Sequence, residues 1–265
     1  MVRATRTDRA GRCPRTIGCV DNQVVEFRVW RVPTDKVPSA ILHMARDRGP
    51  LRRTPGVTFQ KLLGTGSGQS FTLRDADLHH WALLTVFDTQ ADADRFADNE
   101  LLQGWQRICA ESLTVRMTPL SSRGRWAGRE PFELQQPARW HGPVAALTRG
   151  RVKASQWRAF WQAVPPVALD LNRRAGLLMS IGIGEAPVGL QGTFSLWESG
   201  QDLSAFAHRG PAHQQVISQT RERDWYAEEL FARFAVQRVS GTFHGRPIPG
   251  HTATGGADAG DGSAP

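Results

Sequence analysis

The strongest constraint in this sequence is an internal repeat, because the segments between residues 25 and 130 recur in the same order between residues 143 and 248. Phe87-Asp88 aligns with Trp197-Glu198, and Phe96-Ala97 aligns with Phe206-Ala207. Two further anchors pair glycines, namely Gly66 and Gly68 with Gly182 and Gly184, and Gly124-x-Trp126-x-Gly128 with Gly241-x-Phe243-x-Gly245. A repeat of this length predicts that the chain folds as two diverged copies of one unit.

Each copy contains the same succession of hydrophobic patterns. The first copy has strand-like runs at 24–32, 59–71, 81–89 and 113–128, with helical stretches at 38–48 and 92–111. The second has strand-like runs at 144–152, 176–187, 192–199 and 231–245, with helical stretches at 155–164 and 202–230. In the stretch 155–164, Ser155 is the predicted N-cap, and the apolar residues recur at i, i+3, i+4 and i+7. Each copy therefore reads as strand–helix–strand–strand–helix–strand.

This order is that of the ferredoxin-like βαββαβ unit, an antiparallel sheet with helices on one face. Because the open face of each sheet must be covered, we expect an α+β fold in which two tandem ferredoxin-like repeats pack sheet to sheet around a shared interior. The expected units are residues 24–130 and 143–248, joined by a connector at 131–142. A polar basic arm at 1–23 and a tail of small residues at 249–265 are expected to be disordered.

The chain carries a net charge of +8, which arginine supplies almost alone. One cluster stands out, in the arm: Arg3, Arg6, Arg9, Arg12 and Arg15. Since the other arginines are dispersed, we expect no specific nucleic-acid partner, but the arm could contact an anionic membrane surface. The sequence has neither a transmembrane-length apolar run nor an apolar stretch after its first charges, so a cytoplasmic location is expected. The three cysteines are expected to be free thiols.

Glycines mark the end of the second predicted strand in both copies. Gly64-Thr-Gly66-Ser-Gly68 lacks the GK[ST] ending of a phosphate-binding loop, and Gly182-Ile-Gly184 stands at the corresponding place in the second copy. Such glycines serve either a backbone need such as a bulge or the close approach of a ligand, and the sequence leaves both open. No GxSxG motif is present, so hydrolase chemistry has no support.

One histidine distinguishes the two copies. His213 shares a predicted helical face with Val216 and Ile217, whereas the corresponding stretch of the first copy, NELLQGWQ, has no histidine. His213 is either a core histidine bonded to the backbone or part of a site that only one copy carries. Farther along, Glu222, Arg223 and Glu228 are expected to be solvated charges at a helix end, and Arg233 is expected on a strand, facing inward to an anionic group.

Four stretches resemble the spheroidene monooxygenase family of carotenoid-oxidising enzymes. They are KLLGTGSGQSF (61–71), RGRWAGREPF (123–132), SIGIGEAP (180–187) and AHRGPAHQQVISQTRERDWYAEELFARF (207–234), and the resemblance covers roughly residues 25–246. It implies a fold of the dimeric α/β-barrel type, oxygenation of an apolar polyene, and haem as the cofactor.

The resemblance also implies the iron ligand. In the family a histidine follows Gly-Pro here, and this chain reads Gly210-Pro211-Ala212-His213, with one alanine inserted. We therefore expect His213 as the axial ligand, with His208 as the alternative, and Gly182, Gly184 and Arg233 as further cofactor-binding residues.

The Trp- and Phe-rich interior is expected to hold the porphyrin and a hydrophobic small-molecule substrate. The sequence has no recognisable flavin or nicotinamide site, so the electron donor is expected to be external. A cofactor-free oxygenase and a non-catalytic haem or lipid binder remain the alternatives on the same fold.

Overall fold

The computed structural model describes residues 23–66, 75–134, 140–156, 171, 174–185, 190–209 and 225–249. Nearly all of the predicted arm and tail therefore lies outside the described residues. Gln23 is an exception, because it is buried and its side chain bonds Pro131 O at 3.3 Å and the N–H of Glu133 at 2.9 Å. This residue belongs to the fold rather than to a disordered arm, and it ties the connector to the first strand.

Nine strands and five helices are described. The strands are β1 (Val24–Arg31), β2 (Val57–Gly66), β3 (Ala76–Phe87), β4 (Glu111–Gly124), β5 (Val144–Val152), β6 (Leu177–Gly184), β7 (Leu190–Trp197), β8 (Tyr226–Phe243) and β9 (Arg246–Pro247). The helices are α1 (Val37–Arg46), α2 (Arg48–Arg53), α3 (Gln90–Phe96), α4 (Glu100–Ile108) and α5 (Gly200–Arg209). Short 3-10 turns lie at Thr34–Lys36 and Ala154–Gln156.

All strand pairs are antiparallel, and the strands form one closed sheet. The order is β4-β1-β3-β2-β6-β7-β5-β8, and β4 also pairs with β8, which closes the ring. In the first half (residues 24–130) the local order is β4-β1-β3-β2, and in the second half (residues 143–248) it is β8-β5-β7-β6. The halves join edge to edge as well as face to face, and the molecule is an antiparallel, sheet-rich α+β fold.

Local devices recur between the halves. Thr89 accepts from the N–H of Asp92 at the start of α3, and Ser199 accepts from the N–H of Asp202 at the start of α5. The closing turns also have the same backbone, with φ near +95°, +54° and +71° at Gly124, Ala127 and Gly128, and +95°, +53° and +73° at Gly241, His244 and Gly245.

The predicted helix at 202–230 is partly wrong. α5 is described over Gly200–Arg209, residues 210–224 lie outside the described residues, and the structure places residues 226–230 in β8, where they pair with β5. The long helical stretch of the first half is also broken, because Asn99 caps a new helix, α4, through the N–H of Leu101. Among the described residues, no helix combines the length and the apolar character needed to cross a bilayer.

Candidate active site

The inside of the closed sheet is filled by its own side chains. Phe27 stacks on Phe194 with ring centres 3.8 Å apart, and Phe132 meets Phe234 edge-on at 4.9 Å. These rings belong to one continuous buried apolar cluster with aliphatic residues from all eight strands of the ring. An eight-stranded ring is just wide enough for such a core. For the described residues, the expectation that a porphyrin and substrate occupy this interior is therefore wrong.

The outer face of the sheet differs between the halves. In the first half, Trp105 of α4 is 1% exposed and stacks on Trp30 of β1 at 4.8 Å between ring centres, with Trp81 of β3 at 6.4 Å. Leu62 and Leu83 complete the same buried cluster under the helices. Large side chains thus fill the whole space between this sheet and its helices.

The register of the sheet identifies the counterparts of these residues in the second half. Trp30 pairs with Trp81 as Gly150 pairs with Gln191, and Leu62 pairs with Leu83 as Gly182 pairs with Thr193. Three of the four large apolar residues are therefore replaced by glycine or threonine, and the fourth by glutamine. We call Gly150, Gly182, Gly184 and Thr193 the glycine-rich face. The residues next to them on each strand point into the interior, so these four positions lie on the outer face of the sheet.

The predicted correspondence of Gly182 and Gly184 to Gly66 and Gly68 is wrong. β6 pairs with β7 in the same register as β2 pairs with β3. In this register Gly184 corresponds to Gly64, and Gly182 corresponds to Leu62. Gly64 and Gly184 pair with each other where the halves meet. The pairing of β6 with β7 has its one irregularity at Leu177/Met179, away from both glycines. A bulge therefore does not account for them, and at Gly182, which stands in the place of Leu62, side-chain volume on the outer face is lost.

Aromatic residues at the start of β8 lie beside the glycine-rich face. The ring of Tyr226 lies over Gly150, since a Cβ at that glycine would stand 2.6 Å from Tyr226 Cδ1. Burial, with a contribution from Glu229, raises the pKa of Tyr226 to about 12, so its phenol is neutral. Trp225 next to it is fully buried. Together they form an aromatic wall at this end of the face.

The predicted ligands are placed only in part. His213 lies outside the described residues, and His208 is on α5, which packs against β5 and β7 on the outer face of the second half. Arg233 lies on a strand, as predicted, but it sits between Ala232 and Phe234, which face the interior. Its expected inward orientation is therefore wrong, and it faces the same side as the glycine-rich face. Among the described residues, no three His, Cys, Asp or Glu side chains converge to hold a metal.

A charged cluster that the sequence did not predict closes one end of the interior. Lys61 Nζ lies 2.6 Å from Glu185 Oε2, and Arg149 Nη2 lies 3.1 Å from Glu185 Oε1. Arg149 Nη1 pairs with Glu228, and the indole of Trp126 donates to Glu185 Oε1 at 2.5 Å. The Trp126 ring lies 5.7 Å from Lys61 Nζ and 5.5 Å from Arg149 Cζ. The side chain of Arg149 is only 5% exposed.

Glu228 was expected to be solvated at a helix end, and this is wrong. It lies on β8 and accepts the backbone N–H groups of Ala127 and Gly128 at 3.0 and 2.7 Å, besides Arg149. Burial raises the pKa of Glu228, but the bonds from Gly128, Arg149 and Ala127 outweigh it and lower the net pKa below its usual value. Glu228 therefore stays ionised and locks the turn after β4 onto β8.

Among the residues that the structure describes, the opposite end of the interior has no such cluster. Because the halves meet antiparallel at Gly64 and Gly184, register counterparts lie at opposite ends of the ring. Those of Lys61, Arg149 and Glu185 are Ile181, Val29 and Thr65. The sequence repeat indicates this difference, because Arg149 aligns with Val29, a buried core residue of the first half. Arg149 directly precedes Gly150, so the cluster fixes the strand that carries the glycine-rich face.

Three curated relatives match most of the chain, whereas no protein-family model matches it. The spheroidene monooxygenase of Rhodobacter capsulatus is 38% identical over 80% of this chain and 89% of its own length. That of Rubrivivax gelatinosus is 38% identical over 74% of this chain and 75% of its own. That of Cereibacter sphaeroides is 36% identical over 76% of this chain but 62% of its own, so this chain spans under two thirds of that relative.

Among solved structures, two crystal structures of aldoxime dehydratase have the same fold. Each has a TM-score of 0.55 and covers 82% of this chain, at 9% and 10% sequence identity and over 82% and 80% of their own lengths. At such low identity the likeness concerns the fold alone. The sequence identity to the three curated relatives decides the family: the chain belongs to the spheroidene monooxygenases and is a monooxygenase.

Proposed function

We propose that this chain is a haem-dependent monooxygenase that acts on a hydrophobic, carotenoid-like substrate. Its three relatives are spheroidene monooxygenases, which supports a carotenoid as the substrate class. The observation that carries the proposal is the glycine-rich face, where glycine and threonine stand at strand positions that carry Trp30, Leu62 and Leu83 in the first half.

The haem is proposed to lie against the glycine-rich face, outside the ring. At Gly182 the lack of a side chain lets a flat ligand approach the strand backbone closely, while the ring of Tyr226 covers Gly150 and Trp225 next to it is fully buried. Gly182 and Gly184 would form the floor under the porphyrin. Arg233, on the same side of the sheet, would pair with a carboxylate of the bound group. The described residues thus fit a planar apolar cofactor.

His213 is proposed as the axial ligand of the iron, with His208 as the alternative. α5 is described as far as Arg209 beside the outer face of the second half, and His213 follows four residues later. When bound, haem would supply the activation of oxygen, with electrons from an external donor. The protein's part is to orient an apolar substrate against the face and to exclude water, to which the neutral phenol of Tyr226 contributes.

Several finer features belong to the same proposal. We infer that residues 24–130 and 143–248 are tandem copies of one ferredoxin-like unit in a dimeric α/β-barrel type of fold. The matched turn geometries and helix caps support this. A cytoplasmic location, and contact of the N-terminal arginines with an anionic membrane surface, are also part of it.

Haem titration of the purified protein tests the proposal. A Soret band should saturate at one haem per chain, and either His213→Ala or His208→Ala should abolish or shift it. His43→Ala is the matched control, because His43 lies on α1 of the first half and is bound to Asp47 at 2.7 Å, so its spectrum should equal that of wild type. The absence of a Soret band at stoichiometric haem would refute haem dependence.

Turnover separates the remaining alternatives. A haem-loaded protein that oxidises a carotenoid only with oxygen and a reductant supports the monooxygenase. A stable spectrum without product under those conditions favours a haem or lipid binder. Product formation without haem points to the cofactor-free oxygenase.

A further inference from the structure

Helix α1 exposes an apolar stripe to solvent. Its members stand at i, i+3, i+4 and i+7, so they share one face of the helix: Pro38, Ile41, Leu42 and Ala45. Ile41 and Leu42 are 50% and 57% exposed. The other side of α1 is also apolar, because Ala40 is buried and Val37 and Met44 pack on the core of the first half. Core packing therefore does not explain the outer stripe.

Arginines follow the stripe directly. They are the exposed residues Arg46, Arg48, Arg52 and Arg53, from the end of α1 to the end of α2. The carboxylate among them, that of Asp47, is buried and bound to His43. Arg46 is 69% exposed, and its contact with Asp47 is long, at 4.0 Å. The stripe is thus followed by a strongly positive surface.

A cleft continues this surface toward α4. It has a volume of about 910 Å³ and lies between α1, α2 and α4. Two arginines line it, Arg46 and Arg107, together with the polar side chains of Asn99 and Gln103 and the acid Glu100. Side chains that can donate hydrogen bonds to phosphate therefore extend from α1 and α2 onto α4.

We propose that α1 and α2 form a docking surface for a bilayer that contains anionic phospholipid. Ile41 and Leu42 enter the boundary between head groups and acyl chains, and the arginines of α1 and α2 contact the phosphates. This combination of an exposed apolar stripe and basic residues is typical of segments that lie in a membrane interface. A second copy of the chain fits less well, because two arginine-rich surfaces would repel each other.

The inference is independent of the proposed haem reaction, because it rests on the surface alone and vesicle binding needs neither haem nor substrate. Flotation of the full chain with vesicles tests it, with phosphatidylcholine alone and with phosphatidylcholine plus phosphatidylglycerol. The double variant Ile41→Ser/Leu42→Ser should lower the partition coefficient at least ten-fold. Leu78→Ser and Leu134→Ser are matched controls, since these leucines are 51% and 55% exposed elsewhere, and should stay within two-fold of wild type.

The arginines are tested separately. In the triple variant Arg48→Gln/Arg52→Gln/Arg53→Gln, the partition coefficient on vesicles that contain phosphatidylglycerol should fall roughly five-fold for each arginine removed. On phosphatidylcholine alone it should bind as wild type does. A variant with all five N-terminal arginines changed to glutamine measures the contribution of the arm.

Three results would overturn the proposal. One is wild-type vesicle binding by Ile41→Ser/Leu42→Ser. Another is complete loss of binding when the arm alone is neutralised. The third is a concentration-dependent dimer that the serine substitutions abolish, in a protein that does not bind vesicles, which would assign the stripe to a second copy.

Discussion

The two halves of the sheet carry different outer faces on the same framework. In the first half, Trp30, Trp81 and Trp105 stack into a solid layer between sheet and helices. In the second half, Gly150 and Gln191 stand at the sheet positions of Trp30 and Trp81. The strand pairing, helix caps and closing turns are shared, so they maintain the fold. The difference fits the proposal that the first half stabilises the ring by packing and the second half binds the cofactor.

The largest expected effect concerns the packed half. Trp105→Ala should lower the free energy of unfolding by about 4 kcal/mol, because it removes a fully buried aromatic ring and leaves a cavity beside Trp30 and Trp81. Chemical denaturation followed by circular dichroism measures it. Haem affinity of the folded variant should be unchanged. A loss of haem binding at full stability would contradict the division of labour between the halves.

The next effect compares the two ends of the interior. Arg149→Val should cost about 3 kcal/mol, because it leaves Glu228 without its cation and leaves Glu185 with Lys61 alone. The triple variant Lys61→Ile/Arg149→Val/Glu185→Thr gives these three positions the residues of the opposite end but still leaves Glu228 without Arg149, so its stability should equal or slightly exceed that of the single variant. The same denaturation experiment compares them, and a triple variant less stable than the single one would show that the cluster is a net source of stability.

The third prediction closes the glycine-rich face. Gly182→Leu restores the side chain that the first half has at Leu62 and should weaken haem binding about a hundred-fold, or about 2.7 kcal/mol, by occupying the proposed porphyrin site. Haem titration measures it, with the thermal midpoint as a check on folding. Gly182→Ala should give a smaller loss in the same direction.

The reciprocal exchange serves as the control for this prediction. Leu62→Gly should reduce stability through a cavity in the first half but leave haem affinity unchanged. A folded Gly182→Leu protein with wild-type haem affinity would move the cofactor away from this face.

The order of the eight ring strands follows the predicted order, and β5 has the predicted bounds, Val144–Val152. The helix predicted at 155–164 lies almost wholly outside the described residues. The start of β8 was mistaken for helix because its charged and aromatic residues suit a helix end locally. The carboxylate of Glu228 in this segment accepts the N–H groups of Ala127 and Gly128, which are about a hundred residues away in the chain. Long-range pairing of this kind leaves no local pattern, and the charged cluster was missed for the same reason.

The candidate site was predicted from identities when the informative positions were differences. Glycines were aligned with glycines, which set Gly182 against Gly66 and hid its correspondence to Leu62. The exchange of Trp30 for Gly150 was equally visible in the sequence, but its meaning depends on which strand face is outside. Because the sequence predicts a ligand in the interior and the ring packs that interior with side chains, the outward face is recognisable only from the fold.

The smallest expected effect concerns Glu228 and its counterpart Glu111, which accepts the N–H of Gly245 at 2.6 Å as Glu228 accepts that of Gly128. For both carboxylates, burial raises the pKa, but the hydrogen bonds and the paired arginine together lower it by more. The pKa in the folded state therefore lies below that in the unfolded state. Their stabilisation is therefore complete above the unfolded pKa near 4.5 and is lost as the pH falls through the folded pKa. Glu228→Gln should cost about 2 kcal/mol at pH 7 and less at pH 3.

The two carboxylates should differ in their response to salt. Arg31, which pairs with Glu111, is 43% exposed, whereas Arg149, which pairs with Glu228, is 5% exposed. Screening acts mainly on exposed pairs, so 1 M salt should shrink the effect of Glu111→Gln and leave that of Glu228→Gln nearly unchanged. Unfolding at both salt concentrations and both pH values measures this. Equal salt sensitivity would mean that the two ends of the ring are equally open to solvent, against the burial of Arg149.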